Sequence, residues 1–506
     1  MSGEVVDDDG HGLAAMVVVA MRVSDGRSVG WASTDATGGF TIPVVTAGAY
    51  RVLLGDPSGT WPLVFVGGAT PTDFSALTGD TPVGTIAISS GLPYQASLGT
   101  TTLVSVATDG SQGHSSSHGP SISADGRHIA FRSSASNLVA GDTNGVDDVF
   151  LRDTTTGATT RVSVATDGTQ GNDFPSGAPS ISADGRSVAF GSRASNLVAG
   201  DTNFYGDVFV HDTATGTTTR VSVATDGAQA NSASYSPSIS ADGRYVAFES
   251  NASNLVAGDT NTTVDVFVHD TATGVTTRVS TATDGAQAND YSVDPSISAD
   301  GGSIAFESQA SNLVAGDTNG QGDVFVHDTT TGATTRVSTA ADGTQANNYS
   351  IQGSISAEGR YIAFYSSASN LVAGDANGEG DVFVHDTATG TTTLVSNATD
   401  GTQANDGSDL PSISADGRYI AFRSSASNLV AGDTNGQGDV FVHDTTTGAT
   451  TRASVATDGT QANDYSIEVS ISADGRRTAF SSPASNLVAG DTNSDFDVFV
   501  HDRSPT

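Results

Sequence analysis

The chain has no cysteine, and none of its 20 basic residues is a lysine; all are arginine. The first absence excludes a disulfide framework, a thiolate zinc site and a cysteine nucleophile. The second excludes a P-loop lysine, a Schiff-base lysine and a lysine general base. Glutamate occurs only at Glu4, Glu249, Glu307, Glu358, Glu379 and Glu468, so aspartate supplies nearly all of the 56 acidic residues. Aspartate favours turns and hard-cation sites and disfavours helix interiors. Aromatic residues make up only 7% of the 506 residues. Long hydrophobic runs are missing too. The longest near the start, Leu13 to Met21, is about half of the ~20 residues a spanning helix needs. It lacks a basic leader and a clear cleavage site, so it is not an ordinary signal peptide. A formal charge of −36 repels nucleic acid and anionic membrane surfaces and attracts cations. The expectation is an extracytoplasmic protein, secreted or on the cell surface, with no membrane insertion and no nucleic-acid partner.

What is present is repetition. The phrase Ser-Ile-Ser-Ala-Asp-Gly recurs with its acid at Asp125, Asp184, Asp242, Asp300, Glu358, Asp416 and Asp474. A second phrase, Asp-Val-Phe-Val-His-Asp, starts at Asp148 (as Asp-Val-Phe-Leu-Arg-Asp), Asp207, Asp265, Asp323, Asp381, Asp439 and Asp497. One unit reads as four short strands. In the third copy, Pro237–Ser240 is followed by a tight Ala-Asp-Gly-Arg turn, in which Asp-Gly supplies the positive φ. Tyr245–Ser250 is the second strand, Asp265–His269 the third and Val275–Ser280 the fourth. Helical periodicity is absent. Repeated four-stranded units predict an all-β, seven-bladed propeller over 100–506. After the last third strand only Arg503 to Thr506 remain, while Thr100-Thr-Thr-Leu-Val-Ser-Val106 is a fourth-strand sequence without a blade. The N-terminal strand is therefore expected to complete the last blade and remove the open edges.

At these residues the chain resembles TolB-type propeller repeats. The phrase Ser-Ile-Ser-Ala-Asp-Gly-Arg-Tyr-Val-Ala-Phe-Glu-Ser, followed by Asp-Val-Phe-Val-His-Asp, is similar to that family's Ser-Pro-Asp-Gly, Ile-Ala-Phe and Ile-Tyr pattern. The resemblance covers 100–502 and implies a fold; the family spans periplasmic binding proteins and peptidase propeller domains. TolB itself is six-bladed, whereas seven copies stand here, each lengthened by an Ala-Ser-Asn-Leu-Val-Ala-Gly-Asp-Thr-Asn insert. Residues 1–92 do not repeat. Their short strands and Gly/Asp turns read as a β-sandwich. Gly3-Glu-Val5, Asp8 with Gly10, Thr34-Asp35, Gly39-Phe40 and Gly48-Ala-Tyr50-Arg-Val52 resemble a carboxypeptidase regulatory-like (transthyretin-like) domain, which implies a spacer or adhesive module without catalytic residues. Residues 93–99 read as a linker.

Strand parity puts the short turns on one face of the ring and both long inserts of every blade on the other, so fourteen long loops are expected to crown one face. The first insert carries Asp-x-Asn-x-x-x-Asp in every copy: Asp142, Asn144 and Asp148; Asp201, Asn203 and Asp207; Asp259, Asn261 and Asp265; Asp317, Asn319 and Asp323; Asp375, Asn377 and Asp381; Asp433, Asn435 and Asp439; Asp491, Asn493 and Asp497. Such oxygens can converge on a hard cation, which wants 6–8 of them, and Ca2+ is the candidate. The match to known calcium loops fails after its second position, and the other reading is Asx-turns tying each loop to its own backbone. The second insert, Asp-Gly-x-Gln-x-Asn, reads as inter-blade hydrogen bonding. His211, His269, His327, His385, His443 and His501 hold one strand position in six blades, which suits packing rather than catalysis. His114 and His118 form the only asymmetric pair.

The copies diverge in the three residues before the third-strand Asp and at the entry to the first strand. Phe174, Tyr205, Tyr235, Tyr291, Tyr349 and Tyr465 fall there, and aromatics of this kind suit a recognition surface. The leading expectation is a non-enzymatic binding or adhesion scaffold, calcium-stabilised in one version, presenting its long-loop face to a protein or glycan. The alternatives are a structural subunit of a surface or appendage assembly, and a hydrolase or lyase with its site at the axial channel. The last needs acidic or His residues that break the symmetry of the channel, and near-identical blades argue against it.

Overall fold

The computed structural model describes residues 99–503 and, before them, seven strands. The chain divides into two units between Gly99 and Thr100. In the first unit, Ser2–Val6 pairs with Gly39–Thr41 and Pro82–Ala87, and Val17–Arg22 pairs with Ser28–Ser33 and Tyr50–Gly55, the last of which also pairs with Val64–Phe65. The expected sandwich core and the linker lie outside the described residues.

The second unit is a seven-bladed β-propeller, seven antiparallel sheets of four strands each. In blade 3 these are Ser234–Ile239, Tyr245–Ser250, Asp265–Asp270 and Val275–Arg278, innermost to outermost. The alternation of Asp-Val-Phe-Val-His-Asp explains how blades stack, because successive side chains point to opposite faces. Phe267 meets Phe248 across the strand pair, ring centroids 5.9 Å apart, while Val266, Val268 and Val279 pack against Ile297, Ile304 and Phe306 of the next blade. Each blade thus gives one apolar face to each neighbour. The ring closes as expected: Thr100–Leu103 pairs with Asp497–Asp502, placing Leu103 opposite Phe499 and Thr101 opposite His501.

At the short-turn end a circle of hydrogen bonds ties the blades. The N–H groups of Ala124, Ala183, Ala241, Ala299, Ala357 and Ala415 each donate to the corresponding alanine of the next blade, and Ala473 donates to Ala124, at 2.9–3.1 Å. The Ala-Asp-Gly-Arg turn is structural: Asp242 Oδ1 accepts from Ser240 Oγ and the Arg244 N–H, and Arg244 reaches Asp270 at 2.7 and 2.9 Å.

Each first strand carries a bulge where it pairs with the second. In blade 3 the register passes from Tyr235 opposite Glu249 to Ser238 opposite Ala247; in blade 2 it passes from Ser176 opposite Gly191 to Ser180 opposite Ala189, one residue more. That extra residue accounts for the 59-residue step from Asp125 to Asp184, where the later steps are 58.

Candidate functional site

The two long inserts do not behave alike. After its fourth strand the chain turns back in a small hairpin and docks on the outer strand of the next blade. In blade 1, Thr159 Oγ1 donates to Val106 O at 2.5 Å and the Thr159 N–H to Thr108 Oγ1 at 2.9 Å. The hairpin half of each second insert therefore lies along the rim, while its other half returns to the first inserts and runs on into the entry loop of the next first strand. The Gln and Asn of this insert split their tasks. Gln229 ties down its own blade's first insert at Asp201, and the Asn231 N–H donates to Asn254 of the next blade.

The repeated histidines join the same junctions. In blade 4, Thr334 Oγ1 donates to Thr281 O at 2.5 Å, so its lone pair accepts from His327 Nδ1 at 2.9 Å. All six His–Thr pairs share this geometry, and in blade 1 Arg152 takes the place by donating to Thr159 Oγ1 and nearby carbonyls. Burial pushes these six His below their ordinary value. They are inter-blade clasps. His114 and His118 have separate partners: His114 Nε2 meets Ser136 Oγ, and His118 Nδ1 meets Glu468 at 3.5 Å.

In five blades the cation between the first-insert aspartates is an arginine of the fourth strand. Arg161 Nη1 stands 3.1 Å from Asp142 and 2.8 Å from Asp148. Arg336 stands 3.1 and 3.3 Å from Asp317 and Asp323, and Arg452 3.2 and 3.0 Å from Asp433 and Asp439. Arg220 and Arg278 lie 3.5–3.6 Å from Asp201 and Asp207, and from Asp259 and Asp265. Blades 5 and 7 have Leu394 and Leu103 there instead. Gln403 Nε2 donates to Asp375 and Asp381, and Gln112 Nε2 to Asp491 and Asp497, at 2.7–3.0 Å, an arrangement that Gln229 and Gln287 also adopt in blades 2 and 3 beside the more distant Arg220 and Arg278. Burial first, then Asp491, pushes Asp497 up to about 6. The asparagines turn their amide nitrogen toward the inner aspartate, as Asn144 does to Asp148, Asn319 to Asp323, Asn377 to Asp381 and Asn435 to Asp439, while Asn493 donates to Gly113 O. Their Oδ1 atoms accept loop N–H groups, as the Asx-turn reading requires. Among the described residues no three acidic or His side chains converge as a metal site would need.

The aromatic residues stand out on the loop side. Phe174, Tyr205, Tyr291, Tyr349 and Tyr465 are between 37% and 46% exposed. Tyr235 is half-buried, and a Cβ on Gly206 would come within 2.9 Å of its ring. Phe204, in the same divergent triplet as Tyr205, is 88% exposed and sits at φ +62°.

Sequence reading named the axial channel but not the residues that line it. A cavity of about 460 Å³ is lined by the first strands of all seven blades. Its bulge residues, Gly119, Gly177, Ser236, Asp294, Gln352, Leu410 and Glu468, all have φ between +47° and +69°. The fifth residue of each second strand varies with them: Arg132, Gly191, Glu249, Glu307, Tyr365, Arg423 and Ser481. These two positions form a third region of divergence, and its signal was present in the sequence as seven-way variation inside otherwise constant strands. Glu249 accepts the Asp294 N–H at 3.0 Å, Glu307 the Gln352 N–H at 2.5 Å and Glu468 the Gly119 N–H at 2.7 Å. Burial, then the charges of Asp294 and Glu249, push Glu307 up to about 8, and burial raises Glu249 and Asp294. Burial works against Glu468 as well, but His118 and the Gly119 N–H hold it below its usual value. The blades are thus not identical where they face the axis, contrary to the near-identity expected from the sequence.

No family model matches this chain, and no curated protein does. Solved structures do. An oligogalacturonate lyase in complex with manganese is 13% identical, with 81% of this chain and 94% of that one covered and a TM-score of 0.48. TolB from Acinetobacter baumannii is 15% identical over 66% of this chain and 62% of its own, TM-score 0.37. The β-propeller domain of the Trilobed protease from Pyrococcus furiosus is 10% identical over 77% and 95%, TM-score 0.46. These are likenesses of fold, to TolB-like and other propellers.

Proposed function

We propose that the protein is a non-enzymatic, extracytoplasmic binding or adhesion scaffold that presents its loop face to a macromolecular partner, protein or glycan. One observation carries this reading. Of the seven large hydrophobic side chains exposed among the described residues, six lie on that face: Phe174, Phe204, Tyr205, Tyr291, Tyr349 and Tyr465. Aromatic side chains supply large, rigid contact area at low entropic cost, which is why they anchor interfaces. Calcium enters this proposal only at blades 5 and 7, where no guanidinium separates the paired acids. The test is a binding screen of the full chain against glycan and protein arrays, repeated with Phe204→Ser/Tyr205→Ser. Retention of every hit by the variant counts against the loop face.

A second reading is a hydrolase or lyase at the axial channel, favoured by Asp294, Glu307 and Glu249 beside that cavity. It predicts turnover of some substrate that Glu307→Gln abolishes while binding at the loop tips persists. The third, a subunit of a surface assembly, predicts self-association through the first unit.

A further inference from the structure

Three of the loops that enter the first strands place an acid directly before an aromatic residue: Asp173–Phe174, Asp290–Tyr291 and Asp464–Tyr465. In each pair the carboxylate Oδ1 accepts the aromatic residue's own N–H, at 2.8, 2.8 and 2.9 Å. This bond fixes a negative charge beside an exposed ring. Carboxylate and ring face together are what a guanidinium or ammonium group seeks, one by ion pairing and the other by cation–π attraction. Blade 2 shows a cation at the ring: the guanidinium of Arg193, itself exposed, lies 5.7 Å from the centroid of Phe174 and makes no ion pair with Asp173. No other blade has an arginine at that position, where Gln309 and Pro483 stand in blades 4 and 7. Neither Asp290 nor Asp464 has an ion-pair partner among the described residues. The surrounding loops add Glu379, Asp406 and Asp495, also without a cation, so the face carries the sign of the whole molecule's −36.

We propose that Asp290–Tyr291 and Asp464–Tyr465 are cation subsites that take arginine or lysine side chains of a basic protein partner docking on the loop face, and that Arg193 is the built-in occupant of the equivalent subsite in blade 2. The proposal rests on the loop-face reading above and narrows its partner to a protein of positive charge, since complementary charge fixes both encounter and register.

The test uses the full chain and a labelled nona-arginine peptide as probe, with nona-glutamate and a neutral hexasaccharide alongside. Tyr291→Ala/Tyr465→Ala is expected to weaken peptide binding roughly tenfold, as two lost cation–π contacts require, and Asp290→Asn/Asp464→Asn to do the same with both rings retained. Arg193→Ala is expected to strengthen binding more than Arg186→Ala, which removes the same charge from the short-turn face. Wild-type affinity in both double variants overturns the proposal, because the peptide is then held only by diffuse attraction to an acidic protein. Tyrosine-dependent binding of the hexasaccharide without the peptide overturns it while leaving the loop-face reading intact. If neither probe binds, the proposal is likewise overturned; loop-face recognition fails with it only when the array screen is also empty.

Discussion

At the residue after each first-insert asparagine the backbone is left-handed in all seven blades, and only four of them use glycine. Gly145, Gly320, Gly378 and Gly436 hold φ of +64° to +75°, while Phe204, Thr262 and Ser494 hold +59° to +62°. A side chain in that region costs roughly 1–2 kcal/mol, and glycine returns about half of the gain as unfolded-state entropy. Thr262 is exposed, so its side chain gives little back. Thr262→Gly is expected to raise stability by roughly 0.5–1 kcal/mol, read as an increased urea midpoint. Phe204→Gly should do the same, and it should also remove the most exposed aromatic of the loop face. A gain in stability paired with a loss of partner binding at Phe204 alone would separate strain kept for recognition from strain left by drift. Unchanged midpoints in both variants would show that these loops relax without cost.

At the scale of the strand and its inserts, the first-insert aspartates show how a buried charge is handled in two ways on one scaffold. Where Arg336 stands between Asp317 and Asp323, Gln345 Oε1 accepts from the guanidinium at 3.2 Å. Where Leu394 replaces it, Gln403 presents its nitrogen to both acids, and Gln229 and Gln287 do the same where Arg220 and Arg278 stand 3.5–3.6 Å away, so the amide takes either orientation on this scaffold. Arg336→Leu should therefore cost only about 1–2 kcal/mol, less than the loss of a partner from a buried pair usually costs, because Gln345 can turn its amide. Gln345→Ala removes that rescue, so the double variant should be less stable than the sum of the singles, measured by a double-mutant cycle. Strict additivity would mean the glutamine does not compensate. The strands, the Asp-Gly turns and the closure were legible in the sequence because period-two alternation and turn chemistry are local signals. The ion pairs were not, since Arg161 and Asp142 are distant in sequence and joined only by the fourth strand folding back on the third. The lining of the channel was hidden for a different reason. The bulge shifts register within an apparently regular strand, so Asp294 and Glu468 come to line a cavity at positions that plain alternation does not distinguish.

For the whole molecule the decisive feature is that a ring held by repeated junctions titrates as a set. Burial lowers the six clasp histidines, His501 to about 4. The unfolded chain then takes up protons that the folded ring refuses, so their contribution is complete above about pH 6.5 and is lost as pH falls toward the folded values. Asp497 and Glu307, held up at about 6 and 8, act in the opposite sense: their contributions are present at low pH and disappear as pH rises through those values. The urea midpoint should pass through a maximum near pH ~6, and a flat profile from pH 5 to 8.5 would contradict the buried, neutral histidines. The same junction logic bears on closure. Thr101 Oγ1 donates to Val455 O and meets His501, Ser105 Oγ donates to Asp497 at 2.5 Å, and Gln112 holds Asp491 and Asp497. A chain starting at Thr100 retains all of these contacts and should melt like the propeller of the full protein. A chain starting at Ala107 loses the fourth strand of blade 7, bares the edge of Asp497–Asp502 and strands the buried Asp497 without Ser105. Removing seven residues from a unit of about 400 should then lower the melting temperature sharply and produce aggregates through the open edge, whereas equal stability of the two chains would mean that the ring is held by apolar stacking between blades and needs no closing strand.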